Sequence, residues 1–182
     1  MIKYILLGFL NYQPMTGYDL KQSIDHSTAH FWHAHHSQIY TTLRQMEQEG
    51  LVSSQFILEE GEPNRRVYTI TEDGKSQLNS WLDQPMLEMS AIKEDFLVRI
   101  FFSGQREPEK VLTELRLQMA LHQEKLETYR AISDIDQNVK LHPHLKRDAA
   151  FWHMTLNMGI GYEELYISWL KDTIKMVESL NG

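Results

Sequence analysis

The chain has 182 residues, 42% of them hydrophobic and 24% charged, with a formal net charge of −7. That is enough apolar material for one sizeable core, or for a small core plus an extended dimerisation element. The absence of cysteine excludes disulfides, thiolate metal sites and cysteine nucleophiles together, and it fits a reducing cytoplasm.

The first apolar run, Tyr4 to Leu10, lacks a small-residue cleavage site and leads directly into Asn11-Tyr12-Gln13-Pro14. It therefore reads as a first core helix and not as an export signal. No stretch approaches the ~20 apolar residues needed to span a bilayer, so no membrane partner is expected. After the turn at Gln13-Pro14-Met15, Thr16 stands three residues before Asp19, a capping-box arrangement that predicts a short second helix over Gly17 to Ile24. A third helix is predicted over His36 to Glu49. Ile39, Leu43 and Met46 fall on one face at i, i+4 and i+7, and Gly50 is placed to stop it.

Beyond Gly50 the period changes. Leu51 to Leu58 is extended in character, Glu59 to Asn64 is turn-rich, and Arg66 to Ile70 alternates, which predicts a β-hairpin. Thr71 then caps a helix to about Leu82, with Glu72 and Asp73 in its first turn. Three helices, a hairpin and a further helix are the order of a winged helix-turn-helix. Gln84-Pro85 breaks the chain, which divides the sequence into 1–85 as a winged-helix DNA-binding domain and 86–182 as a helical dimerisation and effector-binding domain. Helices are predicted there over Ala91 to Ser103, Pro108 to about Ile135, and about Leu145 to Leu180. In the middle one Leu112, Leu115, Met119, His122, Leu126 and Tyr129 form a stripe suited to packing along a partner helix, with His122 an interface histidine. The last one is apolar over more than one stripe, through Trp152, Leu156, Ile160, Leu165, Trp169, Ile174 and Val177, and is expected to contact its own domain and a second chain together. The fold class expected is mostly α with one β-hairpin.

With Ile39, Leu43 and Met46 turned to the core, the third helix presents Ser37, Thr41, Arg44 and Gln48, flanked by Gln38, Tyr40 and Gln45. Short hydrogen-bonding groups with one arginine suit a major groove, where they reach phosphates and base edges. The hairpin tip carries Arg65 and Arg66, placed to reach phosphates or a minor groove. Against this, residues 1–83 hold six Lys/Arg and ten Asp/Glu, a net of −4. Bulk charge would repel a phosphate backbone, so affinity is expected to be modest, salt-sensitive and dependent on a dimer engaging two half-sites. The same acidity supports an alternative, a winged-helix protein-interaction module without DNA or ligand control.

The segments Tyr4-Ile5-Leu6-Leu7-Gly8-Phe9-Leu10, Thr16-Gly17-Tyr18-Asp19-Leu20, Phe31 to Tyr40 with Leu43 and Glu47 to Val52, and Arg66 to Gly74 resemble the PadR family of transcriptional regulators, in the same order. Lys93-Glu94-Asp95-Phe96 and Tyr166-Ile167-Ser168-Trp169-Leu170 are similar to the longer members, which carry a virulence-activator-type helical C-terminus. The resemblance implies a homodimer on an inverted-repeat operator, usually a repressor, often released by a small molecule. The branch it looks most like includes regulators of phenolic-acid stress genes. The resemblance supports DNA contacts by Gln38, Tyr40 and Arg44 and wing contacts by Arg65 and Arg66. Many members have proline after the third-helix tyrosine, where this chain has Thr41, so the operator sequence does not carry over.

Two aromatic–histidine groups are candidates for an effector site. Phe31, Trp32 and His36 lie where the two predicted domains meet, and Trp152-His153 on the last helix repeats the chemistry. Together they suit an aromatic carboxylate or phenol, stacked on tryptophan and held by histidine. Plain interface packing is the competing reading for each residue. His26, His30, His33, His35 and His36 crowd one segment, but no carboxylate lies between His26 and His36 and the spacing fits no zinc pattern, so no metal and no cofactor is assigned. Without a nucleophile elbow, a P-loop or a dinucleotide fingerprint, no enzymatic activity is expected.

Overall fold

The computed structural model describes residues 1–28, 31–57, 65–89, 91, 93–132, 135 and 143–180. The chain packs as two units, Met1–Met89 and Ser90–Gly182.

In the first unit α1 (Ile2–Tyr12) is followed by a two-residue strand β1 (Met15–Thr16), α2 (Gly17–Ser27) and α3 (His36–Gln48). Strands β2 (Val52–Ile57) and β3 (Arg65–Ile70) and helix α4 (Glu72–Leu82) complete it. The expected capping box forms. Thr16 Oγ1 accepts from the Asp19 amide at 3.1 Å, and Asp19 Oδ2 accepts from the Thr16 amide at 3.0 Å. Helix α2 runs one turn further than its sequence pattern predicts, because Thr28 N–H and Thr28 Oγ1 both donate to the Ile24 carbonyl. Ile39, Leu43 and Met46 are fully buried against Leu6, Leu7, Leu20 and Ile24, with Leu51, Val52, Tyr68 and Leu78 closing the core from the sheet and α4. Tyr4 and Trp81 stack at 4.4 Å between α1 and α4.

The hairpin gains a third strand. All pairs are antiparallel in the order β1-β3-β2, with Met15 opposite Tyr68 and Ser54 opposite Tyr68 on the other side. Two residues are too few to show a period, so β1 is invisible without its partner. The expected turn at 59–64 lies outside the described residues.

The third helix ends where its glycine predicts. Gly50 has φ 74°, its N–H donates to the Glu47 carbonyl at 3.1 Å, and Leu51 N–H donates to the Met46 carbonyl at 2.9 Å. Those two bonds close a Schellman motif, which requires the left-handed backbone at residue 50. Gly50→Ala is therefore expected to lose about 1 kcal/mol of stability, read as a lower urea midpoint at unchanged slope.

In the second unit α5 (Asp95–Phe101) leads through a 3₁₀ turn (Ser103–Gln105) to α6 (Pro108–Arg130), and a second 3₁₀ turn (Pro143–Leu145) opens α7 (Lys146–Ser179). Two helices are shorter than their patterns predict. Helix α5 begins only after Glu94, which is extended, and it ends as Ser103 Oγ donates to the Arg99 carbonyl and the chain tightens around Gly104. Helix α6 stops at Arg130, where Ile132 N–H reaches back only to Tyr129. The α6 stripe is as read: Leu112, Leu115, Leu126 and Tyr129 are buried against α7, with Met119 and His122 half-buried. On α7 one line is buried, sharing Leu156 and Ile174 with the expected apolar surface. It runs through Leu156, Gly159, Glu163, Tyr166, Ile167, Leu170 and Ile174, while Leu165 stands 70% exposed. The helix passes Gly159 and Gly161 without a break.

Candidate nucleic-acid interface

Burying Ile39, Leu43 and Met46 leaves the remainder of α3 to solvent. Ser37, Gln38, Tyr40, Thr41, Arg44, Gln45 and Gln48 are all exposed. Several are preset by neighbours. Gln38 Oε1 accepts from the His35 amide at 3.1 Å, at the helix start. The Tyr40 ring lies on α2, so close to Gly17 that a Cβ there would come within 2.5 Å of it. Glycine at 17 is what lets the ring pass.

The cations sort themselves clearly. Lys3 pairs with Glu49, Lys21 with Asp25, Lys75 with Glu72 and Arg66 with Glu47. Arg44 makes no ion pair or hydrogen bond among the described residues and projects from the middle of the exposed face of α3. Glu49, Asp25, Glu72 and Glu47 are each engaged by one of the other cations, so the local charge at Arg44 differs from the net charge of the unit.

Arg65 opens β3 opposite Ile57 and is exposed. Arg66, its neighbour, points to the other side of the pleat. Its Nη2 donates to Glu47 Oε2 at 2.6 Å and its Nε to Ser54 Oγ at 2.9 Å, while Ser54 Oγ in turn donates to Glu47 Oε1. The Ser54 hydrogen bond holds the Glu47 carboxyl below the usual carboxylate range; burial opposes this, and Arg66 adds to it through its own hydrogen bond and charge. Burial raises the Tyr68 hydroxyl beneath them. The structure thus brings Ser37, Gln38, Tyr40, Thr41, Arg44 and Arg65 to exposed positions, and it engages Arg66 with α3. Glu47 and Ser54 were not singled out from sequence. Their only signal was a glutamate on the flank of a helix whose strand partner lies nineteen positions away.

Of the effector candidates, Phe31 and His36 are exposed in the first unit and Trp32 packs against its core. Trp32 also lines a groove of about 580 Å³ with His33, Ser37, Gln38 and Thr41 beside the start of α1. Trp152 and His153 are half-buried in the second unit. As consecutive helical residues they leave α7 about 100° apart. His30 lies outside the described residues, and among those described no three histidines or carboxylates converge.

The second unit holds a polar cluster that sequence reading found only in part. Glu163 on α7, 1% exposed, bonds His122 Nδ1 and Lys125 Nζ on α6, the latter at 3.1 Å. The His122 ring stacks on Tyr166 at 3.9 Å. Burial, with Glu94, Tyr162 and Glu163 nearby, pushes the Tyr166 hydroxyl up to about 12. Burial pulls Lys125 down, but its bonds to Glu163 and Tyr129 outweigh that and raise it. The expected satisfied histidine is there; its partner is the buried glutamate that stands in the apolar line of α7.

Comparison with known proteins agrees with this architecture. The PadR-like family of transcriptional regulators matches residues 6–80, and the virulence activator alpha C-terminal family matches residues 92–178. The negative transcriptional regulator PadR of Bacillus subtilis is 26% identical over 181 residues, 98% of each chain. Its crystal structure with operator DNA superposes with a TM-score of 0.80 at 24% identity, covering 97% of this chain and 98% of that one. Its structure with p-coumaric acid superposes with a TM-score of 0.75, again at 24% identity, with the same coverage. No helix among the described residues is long and apolar enough to cross a membrane. The first unit carries the PadR-like winged helix and the second its helical extension, and the chain belongs to the PadR family of transcriptional regulators, with a virulence-activator-type C-terminus.

Proposed function

We propose that this regulator is a homodimeric repressor that holds an inverted-repeat operator through two copies of α3 and is released by a small aromatic acid. The carrying observation is the outer face of α3, where Arg44, without an ion pair or hydrogen bond among the described residues, stands beside exposed Ser37, Gln38, Tyr40 and Thr41, with Arg65 on the adjoining wing. Two such faces spaced by a dimer meet successive major grooves about 34 Å apart, which compensates for the weak charge of one. Residues 1–85 bind DNA in this reading. Residues 86–182 dimerise, and exposed Phe101, Phe102, Leu117, Leu121, Met158 and Leu165 are apolar surface for a second copy to cover. The effector class rests on Phe31, Trp32, His36, Trp152 and His153 and on the p-coumaric acid complex of the Bacillus subtilis relative. Release follows when an effector favours a state in which both half-sites cannot be engaged together.

The test is a mobility shift on the promoter beside its own gene, over a salt series and then with p-coumaric acid. A specific shift that weakens with salt and is abolished by the acid is the expected result. A shift indifferent to every phenolic acid tried would remove the effector but keep the DNA-binding reading. No shift at low salt would favour the protein-interaction module, which the ion pairs of Lys3, Lys21, Arg66 and Lys75 independently favour.

A further inference from the structure

A wing reaches DNA usefully only if its angle to the recognition helix is set. At the root, backbone bonds set it: Thr71 N–H donates to the Leu51 carbonyl at 3.0 Å. Further out along the hairpin, side chains take over. Ser54, Phe56, Arg66 and Tyr68 share one face of the β2–β3 pair, since Phe56 lies opposite Arg66 and Ser54 opposite Tyr68. That face is turned to Glu47 of α3.

We infer that Arg66 is a positioning residue, locking the wing to the recognition helix through Glu47 and Ser54, and not a phosphate ligand. The inference rests on the DNA-binding reading above. Three observations carry it. The guanidinium donates to two acceptors on two different elements, and those acceptors are bonded to each other, so the three side chains form a closed triangle. Its carbon lies 5.3 Å from both the Phe56 and the Tyr68 ring centroids, which fills the space around the planar group. And a phosphate approaching Arg66 would meet the Glu47 carboxylate within the same contact, where like charges repel.

An ion pair 38% and 30% exposed is worth little as a contribution to overall stability. Its effect lies in geometry. A fork that holds α3 and β2 together removes the rocking freedom of the wing before DNA arrives, so less ordering is lost on binding. Arg65, its neighbour in β3, leaves the strand on the opposite side.

The experiment compares the full chain with Arg66→Ala, Arg66→Lys, Glu47→Gln and the Arg66→Ala/Glu47→Gln double variant. Binding is followed by fluorescence anisotropy on a duplex spanning the promoter beside its own gene, over a salt series. Each single variant is expected to weaken binding about tenfold, with the double no worse than either single. The slope of log affinity against log salt stays that of the parent, and Arg66→Lys behaves like Arg66→Ala, because an ammonium cannot serve both acceptors and the two rings. A phosphate ligand gives the reverse pattern: a slope lower by about one for each contact removed, near-parental binding by Arg66→Lys, and no loss with Glu47→Gln. That pattern would overturn the inference. Amide hydrogen exchange on the DNA-free chain separates the two levels. Arg66→Ala and Glu47→Gln should accelerate exchange in Val52–Ile57 and Arg65–Ile70 alike, and unchanged exchange overturns the anchoring whatever DNA does. A parent chain that fails to bind the duplex counts against the DNA reading, and the exchange result alone then decides the anchoring.

Discussion

Replacing His122 by alanine is expected to cost about 2–4 kcal/mol of stability, among the largest effects of any single substitution in the second unit. Glu163 is 1% exposed and is shared by His122 and Lys125. Removing the imidazole strips one carboxylate oxygen of its partner where water cannot replace it, and it opens the space against Tyr166 on which the ring is stacked. Lys125 keeps the other oxygen, which places the cost toward the lower end of what a broken buried pair shows. The informative companion is His122→Leu/Glu163→Leu. With the carboxylate gone too, two apolar side chains fill the helix contact, and Lys125, 45% exposed, turns to water. Most of the lost stability should return. Urea unfolding at one fixed protein concentration reads all three chains. A double variant as unstable as His122→Ala would show that the unpaired carboxylate is not the main cost, and a single variant within about 0.5 kcal/mol of the parent would sink the account entirely.

The second large effect is on DNA. Arg44→Ala should weaken binding by about 1–3 kcal/mol for each half-site engaged, a factor of roughly 5 to 150. Its unfolding curve should overlay the parent's, since the side chain is exposed and bonds to nothing described. The manner of the loss assigns the contact. A drop that is uniform across sequences with a shallower salt dependence marks a phosphate, and a relaxed preference at one operator position marks a base edge. Parental affinity in Arg44→Ala would remove α3 as the reading element.

Much of the first unit was legible because local chemistry decided it. Ile39, Leu43 and Met46 fell at helical spacing and are fully buried, Thr16 and Asp19 cap each other as their spacing predicts, and Gly50 ends α3 with a positive φ. What escaped is what depends on partners distant in sequence. Strand β1 exists only because Met15 and Thr16 meet Tyr68 and Val67. Glu47 looks like any solvated helix residue until Arg66 and Ser54 arrive beside it. The line along which α7 packs escaped for the same reason. Following the large apolar residues leads to Leu165, which is exposed, whereas the packed line passes through Gly159 and Glu163. A buried glutamate does not look like core until its histidine and lysine are known, and they lie on α6, about forty positions earlier. The exposed face of α3 was legible by elimination, as the face opposite the apolar one, while the effector candidates rest on a repeated aromatic–histidine pattern alone.

The junction at Gly50 and Thr71 has a bearing on how such a protein diversifies. Thr71 Oγ1 donates to the Gly50 carbonyl at 2.7 Å and accepts from Gly74 N–H at 3.1 Å, its own amide bonds Leu51, and Gly74 lies so close to the Leu51 carbonyl that a Cβ would stand 2.2 Å from it. The two ends of the wing are thus clasped at their base, independently of the chain between Ile57 and Arg65. For a loop with its ends already held, each doubling of length adds only ~0.6 kcal/mol of closure entropy. Insertions and deletions between those strands can therefore be accepted over generations without disturbing α3, while a change at Gly50, Thr71 or Gly74 cannot. The length of the wing is free to drift, and α3 keeps its place.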